Sequence, residues 1–361
     1  MNKKLHVGII GCGGIANAKH LPSLKATGRV ELAAFCDIIP ERAEKTAREY
    51  GAADAKVYTD YQALLRDPSI DVVHVCTPNK SHAQISIDAL HAGKHVMCEK
   101  PMAKTAADAR RMVAAAKETG KKLTIGYQNR QKPESAYLKK VIDRGDLGDI
   151  YFAEAYAVRR RGTPTWGVFL NEEEQGGGPL IDIGTHSLDL TLWLMDNYKP
   201  RMVVGTTYKK LPNPDCANLW GSWDPEEHTV EDSAFGFLVM ENGATVILKS
   251  SWALNTIEPI PEGSAMLCGT KAGAQIKNGI SINKDEFGRL IDIYPDMKTG
   301  GAAYFNGIEE TPAIREANCW LDAIEQDTDP VVTPEQACVV SEILEAIYES
   351  ARTGEPVYFN R

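Results

Sequence analysis

Three residues have the chemistry to move a proton and steady a charge: Lys100, Asp182 and His186. Lys100 stands in Glu99-Lys100-Pro101, directly after the apolar run His95 to Cys98. An ammonium there can hydrogen-bond a reacting hydroxyl and stabilise negative charge as it develops on that oxygen. Glu99 is placed to hold it. The plainer alternative is a strand-end ion pair, which adds little stability. Asp182 and His186 are four apart in a strongly apolar stretch, so on a helix they share a face. Asp189 and Trp193 fall on nearly the same line. Acids and a histidine among Leu and Ile are costly to bury without partners. An imidazole suits removal of a hydroxyl proton near neutral pH, and a carboxylate can orient it or grip a neighbouring hydroxyl. The plainer alternatives are a helix cap for Asp182 and a hydrogen-bonded core histidine for His186. One histidine beside two acids is a poor ligand set for zinc or iron, so no metal is expected.

Positioning these groups requires a scaffold, and the N-terminal third describes one. A short apolar run, Leu5 to Ile10, breaks into Gly11-Cys12-Gly13-Gly14-Ile15-Ala16 and then a helical pattern. This is the spacing of a dinucleotide-binding turn. Gly11 allows the sharp turn, Gly13 lets backbone approach a pyrophosphate, and Ala16 lets the helix pack on the sheet. Helix-start N–H groups then face the phosphates. The next run, Val30 to Cys36, ends in Asp37, 21 residues past Ala16, where a carboxylate would meet the ribose hydroxyls of NAD. Thr77-Pro78-Asn79, with His82 shortly after, follows the run Val72 to Cys76. In a doubly wound sheet such strand ends form the ligand crevice. This turn offers hydroxyl, amide and backbone groups to a cofactor, although Asn79 or Ser81 can equally cap the next helix. Glu99 at the neighbouring strand end can touch the nicotinamide ribose.

The pattern predicts strands near 5–10, 30–36, 72–76, 94–98 and 122–126. Helices fall near 14–27, 40–50, 60–66, 80–92 and 105–119, with Pro22 kinking or restarting the first. After residue 127 the texture changes. A helix near 133–144 is followed mainly by strands, near 150–159, 201–209, 232–240, 244–253, 263–268, 273–277, 280–283 and 289–294. Glu241-Asn242-Gly243 makes a hairpin turn. A loop Gly176-Gly177-Gly178 leads into an apolar helix over 182–196, and helices near 312–326 and 334–352 close the chain. One face of the second sheet needs a cover, and another subunit is the expected one. Arg159-Arg160-Arg161 and Gly162-Thr163-Pro164-Thr165-Trp166-Gly167 end the first strand of this half. Arg159, Arg161 and Trp166 suit a sugar-like ligand, the indole stacking on a ring face. A solvated basic loop is the alternative.

Composition sets the outer bounds. A length of 361 residues suits two domains. The net charge of −9, without a basic run, argues against a nucleic-acid partner. The first strand begins almost at residue 1, leaving no room for a signal peptide, and no apolar run is long enough to span a membrane. Cys12, Cys36, Cys76, Cys98, Cys216, Cys268, Cys319 and Cys338 form no Cys-x-x-Cys pair. A reduced, cytoplasmic protein is expected, with thiols at strand ends as small apolar fillers.

Taken together, Gly11-Cys12-Gly13-Gly14-Ile15-Ala16, Cys76-Thr77-Pro78-Asn79, Glu99-Lys100-Pro101 and Asp182-Ile183-Gly184-Thr185-His186 occur in an order that resembles the Gfo/Idh/MocA oxidoreductases. The resemblance covers essentially the whole chain. It implies an α/β Rossmann domain over 1–127 and an α+β domain with an open-faced, mostly antiparallel sheet over 128–361. The second domain would bind substrate and build a homo-oligomer, a dimer or tetramer. It implies NAD or NADP as cofactor and oxidation of a secondary hydroxyl of a sugar, glycoside, anhydro-sugar or polyol, or the reverse. Lys100 would contact substrate and cofactor, His186 would be the acid/base, and Lys100–Pro101 would be cis. The Arg159 to Gly167 loop is similar to that of members that oxidise glucosides and anhydro-sugars. Asp37-Ile38-Ile39-Pro40 lacks a Ser-Arg pair and carries a carboxylate that would repel a 2′-phosphate, which points to NAD over NADP. The family also includes redox-neutral glycosidases that use NAD transiently, and non-catalytic regulators.

Overall fold

The computed structural model describes residues 4–211, 217–297 and 310–359; Cys216 lies outside them. Short buried runs build the first sheet: β1 Leu5–Ile10, β2 Val30–Cys36, β3 Lys56–Tyr58, β4 Val72–Val75, β5 His95–Cys98 and β6 Leu123–Ile125. Every residue of β4 is buried, as a strand covered on both faces requires. All pairings are parallel, in the order β3-β2-β1-β4-β5-β6. The order reverses between β1 and β4, and the turns after those two strands carry Gly11 and Thr77. The sequence pattern missed β3, a three-residue edge strand whose Lys56 and Val57 are exposed and supply no apolar periodicity.

Helices α1 Leu21–Thr27, α2 Pro40–Tyr50, α3 Tyr61–Leu65, α4 Asn79–His91 and α5 Ala106–Thr119 link these strands. A π-helical turn, Ala16–His20, precedes α1, and Pro22 sits in the first turn of α1. The backbone stays helical through His20 and Leu21, so Pro22 does not restart the helix; its missing N–H falls where the π-helical turn passes into α1. The α5 cap is Thr105, whose hydroxyl accepts from Asp108 N–H at 3.1 Å. Gly120, in the left-handed region, ends that helix.

The second unit contains α6 Pro133–Asp143, α7 Glu172–Gln175 and α8 Thr185–Met195. Its strands are β7 Ile150–Val158, β8 Pro200–Tyr208, β9 Ser233–Met240, β10 Thr245–Ser251, β11 Ile260–Gly269, β12 Ala272–Ile276, β13 Ile280–Glu286, β14 Arg289–Ile293 and β15 Val357–Tyr358. The order is β14-β13-β12-β11-β7-β10-β9-β8-β15. Among the described residues of this sheet, only β7 and β10 pair in parallel. Glu241-Asn242-Gly243 forms the expected hairpin, with Met240 N–H donating to Ala244 O at 2.8 Å. Along β9 and β10, Ala234, Leu238, Val246 and Leu248 are buried. Phe235, Phe237, Ile247 and Lys249 pair across the opposite face, where Phe237 is 43% exposed. The sheet is open-faced on that side.

Two helices close the chain, α9 Pro312–Glu325 and α10 Pro334–Thr353. Compactness divides the chain into residues 1–128 with 309–338, and 129–308 with 339–361. A single cut at residue 127 therefore misplaces α9. Its Ala317, Trp320 and Leu321 join the core of Val7, Ile9, Leu24 and Met97. Arg29, just after α1, pairs with Asp322 and Glu325, both at 2.8 Å. Sequence distance hides this packing because nothing in an amphipathic helix states which sheet it covers.

Candidate active site

The glycine turn is fixed by side chains around it. Gly11 has φ +91°, and a Cβ there would lie 2.6 Å from Cys76 O, so only glycine fits where the β1 and β4 turns meet. Asp37, nearly buried, accepts from Cys12 N–H through Oδ2 and from Ile39 N–H through Oδ1, both at 2.9 Å. Asn17 donates to the carbonyls of Cys12 and Gly13 at 2.9 and 2.8 Å. At Gly13 and Gly14, by contrast, an added Cβ would meet open space. The backbone there is bare, and Ile15 beside it is 41% exposed. Thr77, on the adjoining turn, buries a hydroxyl that has no protein partner. A bare glycine cradle next to an orphaned hydroxyl fits a dinucleotide.

The neighbouring turns part from the sequence reading in two places. Helix α4 begins at Asn79 behind Pro78, without a side-chain cap, so capping does not explain Thr77-Pro78-Asn79. His82 is buried, and its ring nitrogens meet Thr77 O and Pro101 O, both at 2.8 Å. Burial holds its pKa below the usual imidazole range against the pull of both carbonyls. His82 therefore braces two turns together rather than offering a nitrogen to a cofactor. The Lys100–Pro101 peptide is cis, as expected.

Glu99 is buried and faces a network that the sequence reading missed. Its Oε1 accepts from Lys19 Nζ and His20 Nε2, each at 2.8 Å, and its Oε2 from Lys100 N–H at 3.1 Å. Lys19 also pairs with Glu316 at 2.9 Å. His20 Nδ1 lies 2.9 Å from His74 Nδ1, so one ring donates to the other. Burial works to raise the Glu99 carboxyl, but Lys19 and His20 overcome it and hold it well below the usual range. Burial pushes His74 well below the usual imidazole range, with His20 and Lys19 adding to the effect, so His74 is neutral. One signal was available: His74 is the lone polar residue in Val72-Val73-His74-Val75. Lys100 itself is half-buried.

In the second unit, a π-helical turn, Leu180–Gly184, runs into α8. Gly184 is required because a Cβ would lie 2.9 Å from Ser250, whose hydroxyl donates to Pro179 O at 2.7 Å. Asp182 lies inside the turn, so it is not a helix cap. It accepts from the indole N–H of Trp252 at 3.0 Å. His186 follows one turn later and is buried. Asp189 leaves this row. Its carboxylate meets Arg130 at 2.6 and 3.0 Å, with both side chains fully buried. The Arg130 guanidinium also stacks 5.7 Å from the Trp193 ring. Asp189 and Trp193 thus both engage Arg130 from α8. Ahead of the turn, Glu231 accepts from Gly178 N–H at 2.8 Å, Leu180 N–H at 3.1 Å and Tyr348 OH at 2.9 Å. These contacts account for the glycine loop: Cβ atoms at Gly177 and Gly178 would strike Tyr348 and Glu231. Arg159 is committed to Glu262 and Gly162 O, and Arg161 to Asn255. Trp166 is 51% exposed.

The model described as "Oxidoreductase family, NAD-binding Rossmann fold" matches residues 5–127, and that of the GFO/IDH/MocA C-terminal domain matches 135–275. The chain is 36% identical to D-glucoside 3-dehydrogenase of Escherichia coli K12 over 98% of its own length and 97% of that protein. An aldose-aldose oxidoreductase from Caulobacter crescentus superposes with a TM-score of 0.79 at 26% identity, covering 99% of this chain and 100% of the other. A levoglucosan dehydrogenase solved with NADH shares the fold, with a TM-score of 0.83 at 23% identity over 99% of each chain. The chain belongs to the GFO/IDH/MocA family of NAD-binding oxidoreductases. No described helix is long and apolar enough to cross a membrane.

Proposed function

We propose that this chain is an NAD-dependent dehydrogenase that oxidises a secondary hydroxyl of a sugar, and of a glucoside in particular. The observation that carries this reading is the helical segment that sets buried His186 four residues after Asp182, in a chain that matches D-glucoside 3-dehydrogenase end to end. The glycine cradle at Gly11, Gly13 and Gly14, with Ile15, Thr77, Pro78 and Asn79, holds the dinucleotide. Asp37 accepts from the ribose hydroxyls and repels a 2′-phosphate. Bound NAD supplies the hydride acceptor. The His186 imidazole takes the hydroxyl proton. The Lys100 ammonium stabilises the oxygen as its charge grows. Asp182, fixed by Trp252, orients the pair. Glu99, clamped by Lys19 and His20, holds the Lys100 backbone.

NADH formation, followed by absorbance with methyl β-D-glucoside as substrate, tests these roles. His186→Ala and Lys100→Ala each lower turnover by about 10²–10⁴-fold while NAD affinity stays near normal. Near-wild-type turnover in both overturns the mechanism, and a preference for NADP overturns the role of Asp37. Sugar product without NADH would mark a redox-neutral enzyme instead.

The half-exposed Phe235, Phe237 and Ile247 on the open sheet face support a homo-oligomer built through that face. A single-protomer mass in light scattering would refute it. All seven described cysteines are free thiols, which supports a reducing, cytoplasmic setting.

A further inference from the structure

An aromatic file runs outward from Asp182. The Trp252 indole that donates to Asp182 is fully buried, and its ring centroid lies 6.5 Å from that of Phe169. Phe169 lies 5.8 Å from Trp166, and Trp166 lies 4.9 Å from Trp220 at an interplanar angle of 90°. Exposure rises along the file, from 0% at Trp252 to 51% at Trp166 and 38% at Trp220. Burial therefore explains the inner rings and not the outer two.

The outer corner is built, not loose. Asn218 accepts from Thr163 N–H at 2.9 Å and donates to Thr163 O at 3.0 Å, stapling the two loops. Thr165 donates to Trp220 O at 2.7 Å, and Leu219 N–H donates to Arg161 O at 3.2 Å. The Arg159 guanidinium lies 5.1 Å from the Trp220 ring, and its charge is cancelled by Glu262. The result is a preorganised pair of indoles with polar groups at its rim, and the guanidinium beside Trp220 is already held by Glu262. A six-membered ring finds two aromatic surfaces to lie against.

We infer that Trp166 and Trp220 form a second subsite that receives the ring beyond the glycosidic oxygen of a glucoside. The inference rests on the proposed dehydrogenase activity and names its substrates: glycosides that carry a second ring, a sugar or an aryl group. Asp182 lies at the inner end of the file, so a ring held at the outer end is the part of the substrate that does not react. Its binding energy then serves to place the reacting ring.

Three substrates test the subsite: methyl β-D-glucoside, cellobiose and phenyl β-D-glucoside. Trp220→Ala lowers kcat/KM for the two-ring substrates by about tenfold, the scale of one aromatic contact, and leaves methyl glucoside within about twofold; Trp166→Ala lowers kcat/KM for the two-ring substrates by a similar factor. Trp166→Phe, which keeps a ring, restores most of the loss and controls for misfolding. A loss confined to cellobiose assigns the site to sugars, and one confined to phenyl glucoside assigns it to aryl groups. Equal losses on all three substrates, or none, overturn the subsite. A change of molecular mass in the Ala variants assigns the rings to a protein interface and also overturns it. Calorimetric titration with cellobiose in the presence of NADH reads the subsite without turnover. If wild type binds cellobiose about tenfold more tightly than Trp166→Ala yet oxidises no sugar, the subsite stands and the dehydrogenase reading falls.

Discussion

Glu99, buried, and Glu231, half-buried, are carboxylates that each hold backbone N–H groups, yet their environments act in opposite directions. Burial raises both. At Glu99, Lys19 and His20 more than offset it, and the carboxyl is held well below its usual range. At Glu231, the donors are two backbone N–H groups and a tyrosine hydroxyl, and burial pushes the carboxyl up to about 6. Hydrogen bonds from neutral donors soften the cost of burying a charge, and a cation in contact reverses its sign. The first unit thus keeps a fixed anion beneath Lys100. The second keeps a titratable one at the mouth of the His186 helix.

The sharpest way to break this contrast is to remove the cation. Burial works to neutralise Lys19, but Glu316 and Glu99 outweigh it and raise its affinity for the proton. Lys19→Met leaves Glu316 and Glu99 buried without the charge that joins them. Loss of one partner of a buried pair costs about 3–5 kcal/mol, so the urea midpoint falls accordingly. Lys19→Arg keeps the charge and retains most of that stability. A loss below about 1 kcal/mol in Lys19→Met, on the scale of a surface pair, would show that the network is solvated and the contrast false.

Much of this architecture was legible in the chain. The Gly11 turn, the strand and helix order and the spacing of Asp182 and His186 follow from local rules, while the cis Lys100–Pro101 peptide was implied by the family resemblance. The local rules are a positive φ that only glycine tolerates, alternation of apolar runs, and the helical period. What escaped is set by contacts between distant residues. Nothing local marks Lys19, and only the fold packs Glu316, nearly 300 residues on, beside it. Asp189 reads as one of a catalytic row until Arg130 claims it. His82 reads as a ligand until its two nitrogens are found on backbone carbonyls. Trp252 follows β10 in an ordinary apolar stretch, and only the fold brings its N–H to Asp182. Pairing of polar groups in three dimensions carries no local signature, so chemistry-bearing residues are visible in sequence while their partners are not.

Glu231 offers the finer test, because its effect reverses with pH. Its carboxyl is raised from 4.5 to about 6, so between those values the folded chain binds more protons than the unfolded one. Stability contributed by this group therefore falls as pH rises through that window. The cost is absent below 4.5 and complete above 6, at about 2 kcal/mol on the scale of one pKa unit per ~1.4 kcal/mol. Glu231→Gln removes the titration but leaves one oxygen to serve Gly178 N–H and Leu180 N–H, with an amide group facing the other donors. At pH 4.5 the variant is the less stable protein, since it loses acceptors that a neutral carboxyl keeps. By pH 7 wild type has taken on the charge, and the gap between the two narrows by about 2 kcal/mol. Urea denaturation of both proteins across this range reads the difference directly, with every other carboxylate cancelling between them. A gap that stays constant with pH would mean that Glu231 ionises at its ordinary value. Hydrogen bonds from neutral donors would then offset the whole cost of burying the anion, and the opposite directions of the two carboxylates would be lost.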